Sequence, residues 1–199
     1  MDRWSDTIFV LDQSGSMVSM WDESIEGFNK FLASQRSSPV FTRLTLVQFN
    51  NMVSPVYASI PAQEALELNR DTYYPGGSTA LYDALGLTID MTNLRLKAIP
   101  ENERPDTVIF AILTDGQENA SREFTHKQVM DKIDHYTHDE GWEFVFLAMG
   151  PDAFQGSQDL GFQQAPNHPM FSVRMDAADM AFKKLDEEVL ARKLKGRKP

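Results

Sequence analysis

Two rhythms of apolar residues alternate along the chain: short continuous runs, expected of buried strands, and positions recurring every three or four residues, expected of helices. The first run, Thr7-Ile8-Phe9-Val10-Leu11, stops at Asp12-Gln13-Ser14-Gly15-Ser16-Met17 and predicts a buried strand opening into a tight polar loop. Asp22 to Gln35 then carries Ile25, Phe28, Asn29, Phe31 and Leu32 at helical spacing, and Ser37-Ser38-Pro39 ends it. Leu44 to Phe49 predicts a second strand, and Asn50-Asn51 a turn into an antiparallel edge strand over Met52 to Ile60. Gln63 to Leu68 reads as one or two turns of helix.

Apolar spacing after Gly76-Gly77-Ser78-Thr79 predicts a helix that begins near Thr79 and runs through Ile89. Pro100 to Pro105 is a charged linker, and Thr107 to Thr114 is apolar enough for a central strand covered on both faces. Thr125 to His138 predicts a helix with Val129, Ile133 and Tyr136 inward, and Trp142 to Ala148 a fifth strand. Asp152 to Leu160 reads as a short helix and Met170 to Val173 as a short last strand. A closing helix over Ala177 to Leu194 would turn Ala178, Ala181, Phe182, Leu185, Val189, Leu190 and Leu194 inward. This alternation predicts a single Rossmann-like, three-layer α/β/α domain over residues 1–199, with a mostly parallel central sheet and one antiparallel edge strand.

Composition narrows the function classes. A net charge of −10 over 199 residues disfavours nucleic acid as a partner, because its phosphate backbone attracts basic surfaces. Residues 183–199 are the exception, with seven Lys or Arg against three acids; a basic helix end is ordinarily solvated and complements the macrodipole. Zero Cys excludes disulfides and zinc-thiolate sites. No apolar run reaches the length of a membrane span, and Met1 to Asp6 lacks the apolar core of a secretory signal, so a cytoplasmic protein is expected.

Chemistry concentrates where strands end. Asp12, Ser14 and Ser16 alternate, so three oxygen side chains could converge on one point, and oxygen ligands favour Mg²⁺, Ca²⁺ or Mn²⁺ over zinc or copper. The plainer reading makes Ser14 or Ser16 a helix cap. Thr79, at a helix start behind two glycines, is either a further oxygen ligand or an N-cap. Asp115 ends the central strand as Asp12 ends the first, and in open α/β sheets ligands bind at the carboxyl ends of strands.

With Asp12-Gln13-Ser14-Gly15-Ser16, Gly77-Ser78-Thr79-Ala80-Leu81 and Thr114-Asp115-Gly116 in this order, the chain resembles a von Willebrand factor A domain with the three pieces of the metal-ion-dependent adhesion site (MIDAS). It looks most like the free-standing bacterial or phage members. The resemblance implies that Ser14 and Ser16 hold a divalent ion directly, that Thr79 does so directly or through water, and that Asp12 and Asp115 act through waters or hydrogen bonds. The ion, Mg²⁺ by preference with Mn²⁺ or Ca²⁺ as alternatives, would take an Asp or Glu of a partner protein. The chain would then be an adaptor or regulatory module and not an enzyme. Met17, Trp21, Asn50, Tyr73, Tyr74, Gln117 and Asn119 flank these segments and form the expected rim for a partner, since aromatic residues anchor interfaces.

Two other readings remain at this point. A Mg²⁺-dependent phosphohydrolase using Asp12 as nucleophile would want a second Asp two residues on, where Ser14 stands, and a phosphate-holding lysine that no strand end supplies. A scaffold with a purely structural metal would bind partners elsewhere. Dinucleotide binding is disfavoured, for no G-x-G-x-x-G follows the first strand. The pair His135 and His138 is read as solvated, lacking a third ligand for zinc, and Asp83 and Asp90 as surface charge.

Overall fold

The computed structural model describes residues 4–115, 118–148 and 178–195. Five strands form one sheet: β1 (Trp4–Asp12), β2 (Phe41–Phe49), β3 (Val53–Pro61), β4 (Thr107–Thr114) and β5 (Glu143–Ala148). Their spatial order is β3-β2-β1-β4-β5; β3 runs antiparallel at one edge and the remaining pairings are parallel. Among the described residues four α-helices cover the sheet: α1 (Trp21–Arg36), α2 (Leu81–Lys97), α3 (His126–His138) and α4 (Ala178–Lys195). The expected three-layer architecture is therefore present. The expected helix at 152–160 and strand at 170–173 lie outside the described residues.

β1 and β4 are buried along nearly their whole length, which explains why both read as unbroken apolar runs. Alternation still assigns the faces. Phe9 and Leu11 join a core with Phe28, Phe31 and Leu32 of α1 and with Phe182, Leu185 and Val189 of α4. Ile8 and Val10 join the opposite core with Leu85 and Ile89 of α2 and Val129 and Ile133 of α3. Phe9 is the aromatic centre of the first core, 5.2 Å from the rings of both Phe28 and Phe31. Gly27 lets α4 pack closely on α1, because a Cβ there would collide with the Phe182 ring.

Three local expectations are corrected. Residues 63–68 form no helix; Arg36 reaches the Ala62 and Ala65 carbonyls and Asn29 pairs with both backbone groups of Leu68, so α1 side chains hold this segment open. Asp83 is buried, for a reason given below. Leu194 is 58% exposed while Lys193 is buried, since the buried stripe of α4 runs Phe182, Leu185, Val189 and then Arg192 and Lys193, three and four residues on.

The Lys193 ammonium donates to Gln35 Oε1 and, at 2.8 Å, to Thr42 Oγ1, and burial pushes its pKa down from 10.5 to about 7 against the attraction of Asp186. Between those values the unfolded chain binds a proton that the native chain does not, so stability rises with pH across this window. Lys193→Met is expected to remove that slope, flattening the gain between pH 7 and pH 9 by about 2 kcal/mol in urea unfolding. An unchanged slope would mean that this amine stays protonated in the fold.

Candidate functional site

The candidate site is built where β1 and β4 end side by side. Strand order reverses between them, since the chain leaves β1 toward β2 on one side and reaches β4 on the other, and such a switch point opens a crevice at the strands' carboxyl ends. Asp12 closes β1 and Asp115 follows β4. Asp12 is fully buried, its Oδ1 accepting from the Ser14 backbone N–H at 2.7 Å and its Oδ2 from the Thr114 hydroxyl at 2.5 Å. The Ser16 hydroxyl donates to Asp115 Oδ1 at 2.8 Å and lies 3.1 Å from the Ser14 hydroxyl. Two carboxylates and two hydroxyls of the motif thus form one connected chain.

Burial, opposed by the bonds from Thr114 and Ser14 and assisted by the charge of Asp115, pushes the Asp12 carboxyl up to about 6. Burial raises the Asp115 pKa as well, against the Ser16 hydroxyl bond. Two acids held in one poorly solvated cluster, with no basic side chain among the described residues bonded to either, define a place where positive charge lowers the energy.

A second loop is laced onto the first. Gly15 N–H donates to the Gly77 carbonyl at 3.0 Å, and Gly76 N–H donates to the Gln13 carbonyl at 2.8 Å. Gly77 adopts φ +82, and a Cβ there would run into the Asn51 side chain, so this crossing requires glycine; Gly76 has open space around it. Thr79 is buried two residues further on, directly before α2. It does not cap that helix, whose N-cap position is Ala80 with no side-chain cap bond. Its backbone is instead clamped to the segment after β4: Thr79 N–H donates to Asn119 Oδ1 at 2.9 Å, and the N–H groups of Asn119 and Ala120 both donate to the Thr79 carbonyl.

Asp83, expected as surface charge, and Glu118, which the sequence does not single out, organise this third segment. The Asp83 carboxylate, in the first turn of α2, accepts from the backbone N–H groups of Arg122, Glu123 and Phe124 at 2.8–2.9 Å. Glu118 accepts from the N–H groups of Tyr82, Ala120 and Ser121 and from the Ser121 hydroxyl. Carboxylates satisfying several N–H groups are stronger anchors than neutral turns. The only local signal was an acid in a helix's first turn, and that reads equally well as dipole compensation.

The expected rim divides. Trp21 and Tyr74 stand together, their rings edge to face at 5.0 Å, with Tyr74 69% exposed. Arg70 lies over the Trp21 ring at 4.8 Å while pairing with Asp22 through two hydrogen bonds. Asn119 is exposed beside Thr79. Met17 is corrected to the core beneath the 3₁₀ turn Gly15–Met20, fully buried with Phe9 and Leu11. Tyr73 is likewise corrected: it is buried, and its hydroxyl donates to the Asp12 carbonyl at 2.6 Å, which steadies the end of β1 from below. Asn50 acts within the loops, donating to the Gly76 carbonyl and accepting from the Met52 N–H. Gln117 lies outside the described residues. His135 pairs with Asp139 at 2.6 Å on the exposed face of α3.

Comparison with known proteins agrees with this architecture. No curated protein sequence matches the chain. Among solved structures it is similar to the von Willebrand factor domain of the type V pili tip protein Mfa5 from Porphyromonas gingivalis, at TM-score 0.66 and 10% identity, covering 95% of this chain and 96% of that one. It is also similar to the pilus adhesin SpaC from Lactobacillus rhamnosus GG, at TM-score 0.67 and 14% identity over 97% of this chain and 30% of that one. A third similar structure is a von Willebrand factor type A protein from Catenulispora acidiphila, at TM-score 0.59 and 13% identity over 97% of this chain and 43% of that one. The chain thus spans less than half the length of several of these proteins, and at such identities the likeness concerns the fold. Domains of this type generally mediate contact between proteins, often with a metal, and are typically not enzymes. The model of the von Willebrand factor type A domain matches residues 6–184, and the chain belongs to that family.

Proposed function

We propose that the chain, read as one A domain over residues 1–199, is a divalent-cation-dependent protein-binding module. Asp12, Ser14, Ser16, Thr79 and Asp115 would hold Mg²⁺, with Mn²⁺ or Ca²⁺ able to substitute, and the ion would take a carboxylate from a partner. The observation that carries this reading is the chain of contacts from Asp115 through Ser16 to Ser14, backed by buried Asp12, at the switch point of the sheet. Its donor set fits a hard cation: oxygen atoms only, with neutral hydroxyls between two carboxylates. Hydroxyl ligands leave the ion electrophilic, which favours an anionic partner group. Met17 and Tyr73 are not part of this proposal; Trp21, Tyr74 and Asn119 remain as its rim.

Hydrolysis finds less support. The position two residues after Asp12 is Ser14, and Asp12 is buried with both oxygens engaged, a poor posture for a nucleophile. No described helix is long and apolar enough to cross a membrane. A cytoplasmic adaptor is the setting we favour.

Affinity capture from a lysate of the source organism in Mg²⁺ and in EDTA tests the reading. One protein should be retained by the native chain in Mg²⁺ and lost in EDTA and with Asp115→Ala. Equal retention in all arms moves the interface elsewhere and leaves the cluster a structural role. Replacing Trp21 and Tyr74 together by alanine should weaken the captured interaction by about 2–4 kcal/mol, the range of clustered aromatic anchors, while the circular dichroism spectrum stays native. Unchanged affinity would remove both from the interface.

A further inference from the structure

A second cavity lies at the opposite pole of the sheet. It has a volume of about 700 Å³ and sits at the amino-terminal ends of β1 and β2, whose first residues Trp4 and Phe41 are in its wall. Eight residues of β1 separate it from Asp12, about 26 Å at the rise of a strand. It therefore shares no residue with the proposed cation site.

Its walls are of two kinds. Trp4, Phe41 and Ile99 supply apolar surface. The Trp4 ring is fixed by a bond from its Nε1 to the Glu103 carbonyl at 3.1 Å, and Phe41 is 46% exposed. Opposite them, Arg43, Ser59 and Arg95 gather around the fully buried carboxylate of Asp6. Arg95 Nη2 bonds Asp6 Oδ2 at 2.6 Å, Ser59 Oγ stands 3.4 Å from Asp6 Oδ1, and Arg43 Nε donates to Ser59 Oγ at 3.1 Å.

Two observations mark this cluster as more than an ion pair at the amino-terminal end of the sheet. Ser59 has φ +49, the only non-glycine residue with positive φ among the described residues, and it sits at a register irregularity between β2 and β3. At that bulge the Ser59 hydroxyl faces Arg43 and Asp6, and such features commonly re-aim a side chain at a functional site. Moreover, guanidinium donors are left over. Arg95 Nη1 is buried with no acceptor, and Arg43 bonds only through Nε among the described residues, leaving both of its terminal amino groups for a ligand. Asp6 pairs directly with Arg95, whereas Arg43 has no carboxylate bonded to it among the described residues and lines the same cavity as Trp4 and Phe41.

We propose that this cavity binds a small amphipathic carboxylate, an aryl or branched-acyl acid, whose carboxylate bonds the Arg43 guanidinium beside Ser59 and whose apolar body lies against Trp4 and Phe41. Arginine presents a fork that matches a carboxylate with two parallel bonds, and the cavity has the size and mixed lining of small-molecule sites. Glu103, also in the lining, bonds Trp4 through its carbonyl, and its exposed carboxylate forms no ion pair with Arg43 among the described residues.

The test is calorimetric titration of the full chain with 3-phenylpropionate, with 3-phenylpropanol and inorganic phosphate as matched probes, in EDTA so that the other pole does not contribute. Saturable one-to-one binding of 3-phenylpropionate is expected, at least about tenfold weaker for Arg43→Met and for Phe41→Ala, with the alcohol and phosphate both at least about tenfold weaker than the acid. Arg43→Met removes the bond to Ser59 but none of those that Arg95 and Ser59 make to Asp6, and thermal unfolding checks that it folds. Failure of the acid to saturate, equal binding by Arg43→Met, or phosphate binding as tightly as the acid would overturn the proposal.

Discussion

Asp12→Asn is expected to lower divalent-cation affinity at least about a hundredfold, about 2.7 kcal/mol, while leaving the fold intact. The side chains are nearly the same size, and an amide can still accept from the Ser14 N–H. At the other atom the Thr114 hydroxyl, which donates to Asp12 Oδ2 at 2.5 Å, can turn to accept from the amide instead. What disappears is a full negative charge buried behind the Ser14 and Ser16 hydroxyls. Because burial already raises the Asp12 pKa to about 6, the neutral amide relieves a desolvation cost in the metal-free chain. Thermal unfolding without metal should therefore show Asp12→Asn at least as stable as the native chain. Loss of stability in EDTA together with loss of cation affinity would point to a structural use of this carboxylate.

Asp83→Ala should have the largest effect on stability. Three backbone N–H groups, of Arg122, Glu123 and Phe124, lose a charged acceptor in a position only 9% exposed. Leaving such donors unpaired costs about 3 kcal/mol in total, which for a chain of this size lowers Tm by about 6–12 °C. The change also carries to the site. The same segment supplies the Asn119 and Ala120 N–H groups that hold the Thr79 carbonyl, so cation affinity should fall in the folded variant although Asp83 touches none of the proposed ligands. Asp83→Asn, which keeps one acceptor oxygen, should recover roughly half of both losses. A Tm within 2 °C of the native value, about the shift of a single lost kcal/mol, would show that the 118–125 segment is held by other contacts.

The two variants also mark what could be read from the sequence. β1 and β4 were legible because a central strand must be apolar on both faces, and their terminal acids stand at the ends of such runs. α3 was legible from Val129, Ile133 and Tyr136 at helical spacing, and the structure adds a complete capping box, Thr125 with Gln128. Ser14, Ser16 and Asp12 were legible as a group because alternation in a short loop is local.

Pairings across many residues were hidden. Asp83 meets 122–124 and Glu118 meets Tyr82 only once the sheet has brought α2 beside the end of β4, and nothing in either stretch alone distinguishes these acids from solvated ones. Residues 63–68 looked helical because the residues of α1 that hold their backbone, Arg36 and Asn29, are 29 and 39 residues from their partners in sequence. The rim failed for Met17 and Tyr73 for a similar reason. Closeness to a motif in sequence does not say whether a side chain points out of the loop or under it, and both of these support β1 from within.

The measurement that bears most directly on the central claim is a titration of the metal-free full chain with Mn²⁺, followed by electron paramagnetic resonance of the free ion, since Mn²⁺ accepts the same oxygen ligands as Mg²⁺. One saturable site is expected, displaced by Mg²⁺, and weakened at least about tenfold by Ser14→Ala or Ser16→Ala in chains that unfold at native temperatures. Failure of Mn²⁺ to saturate a single site, or equal affinity in both serine variants, would contradict it.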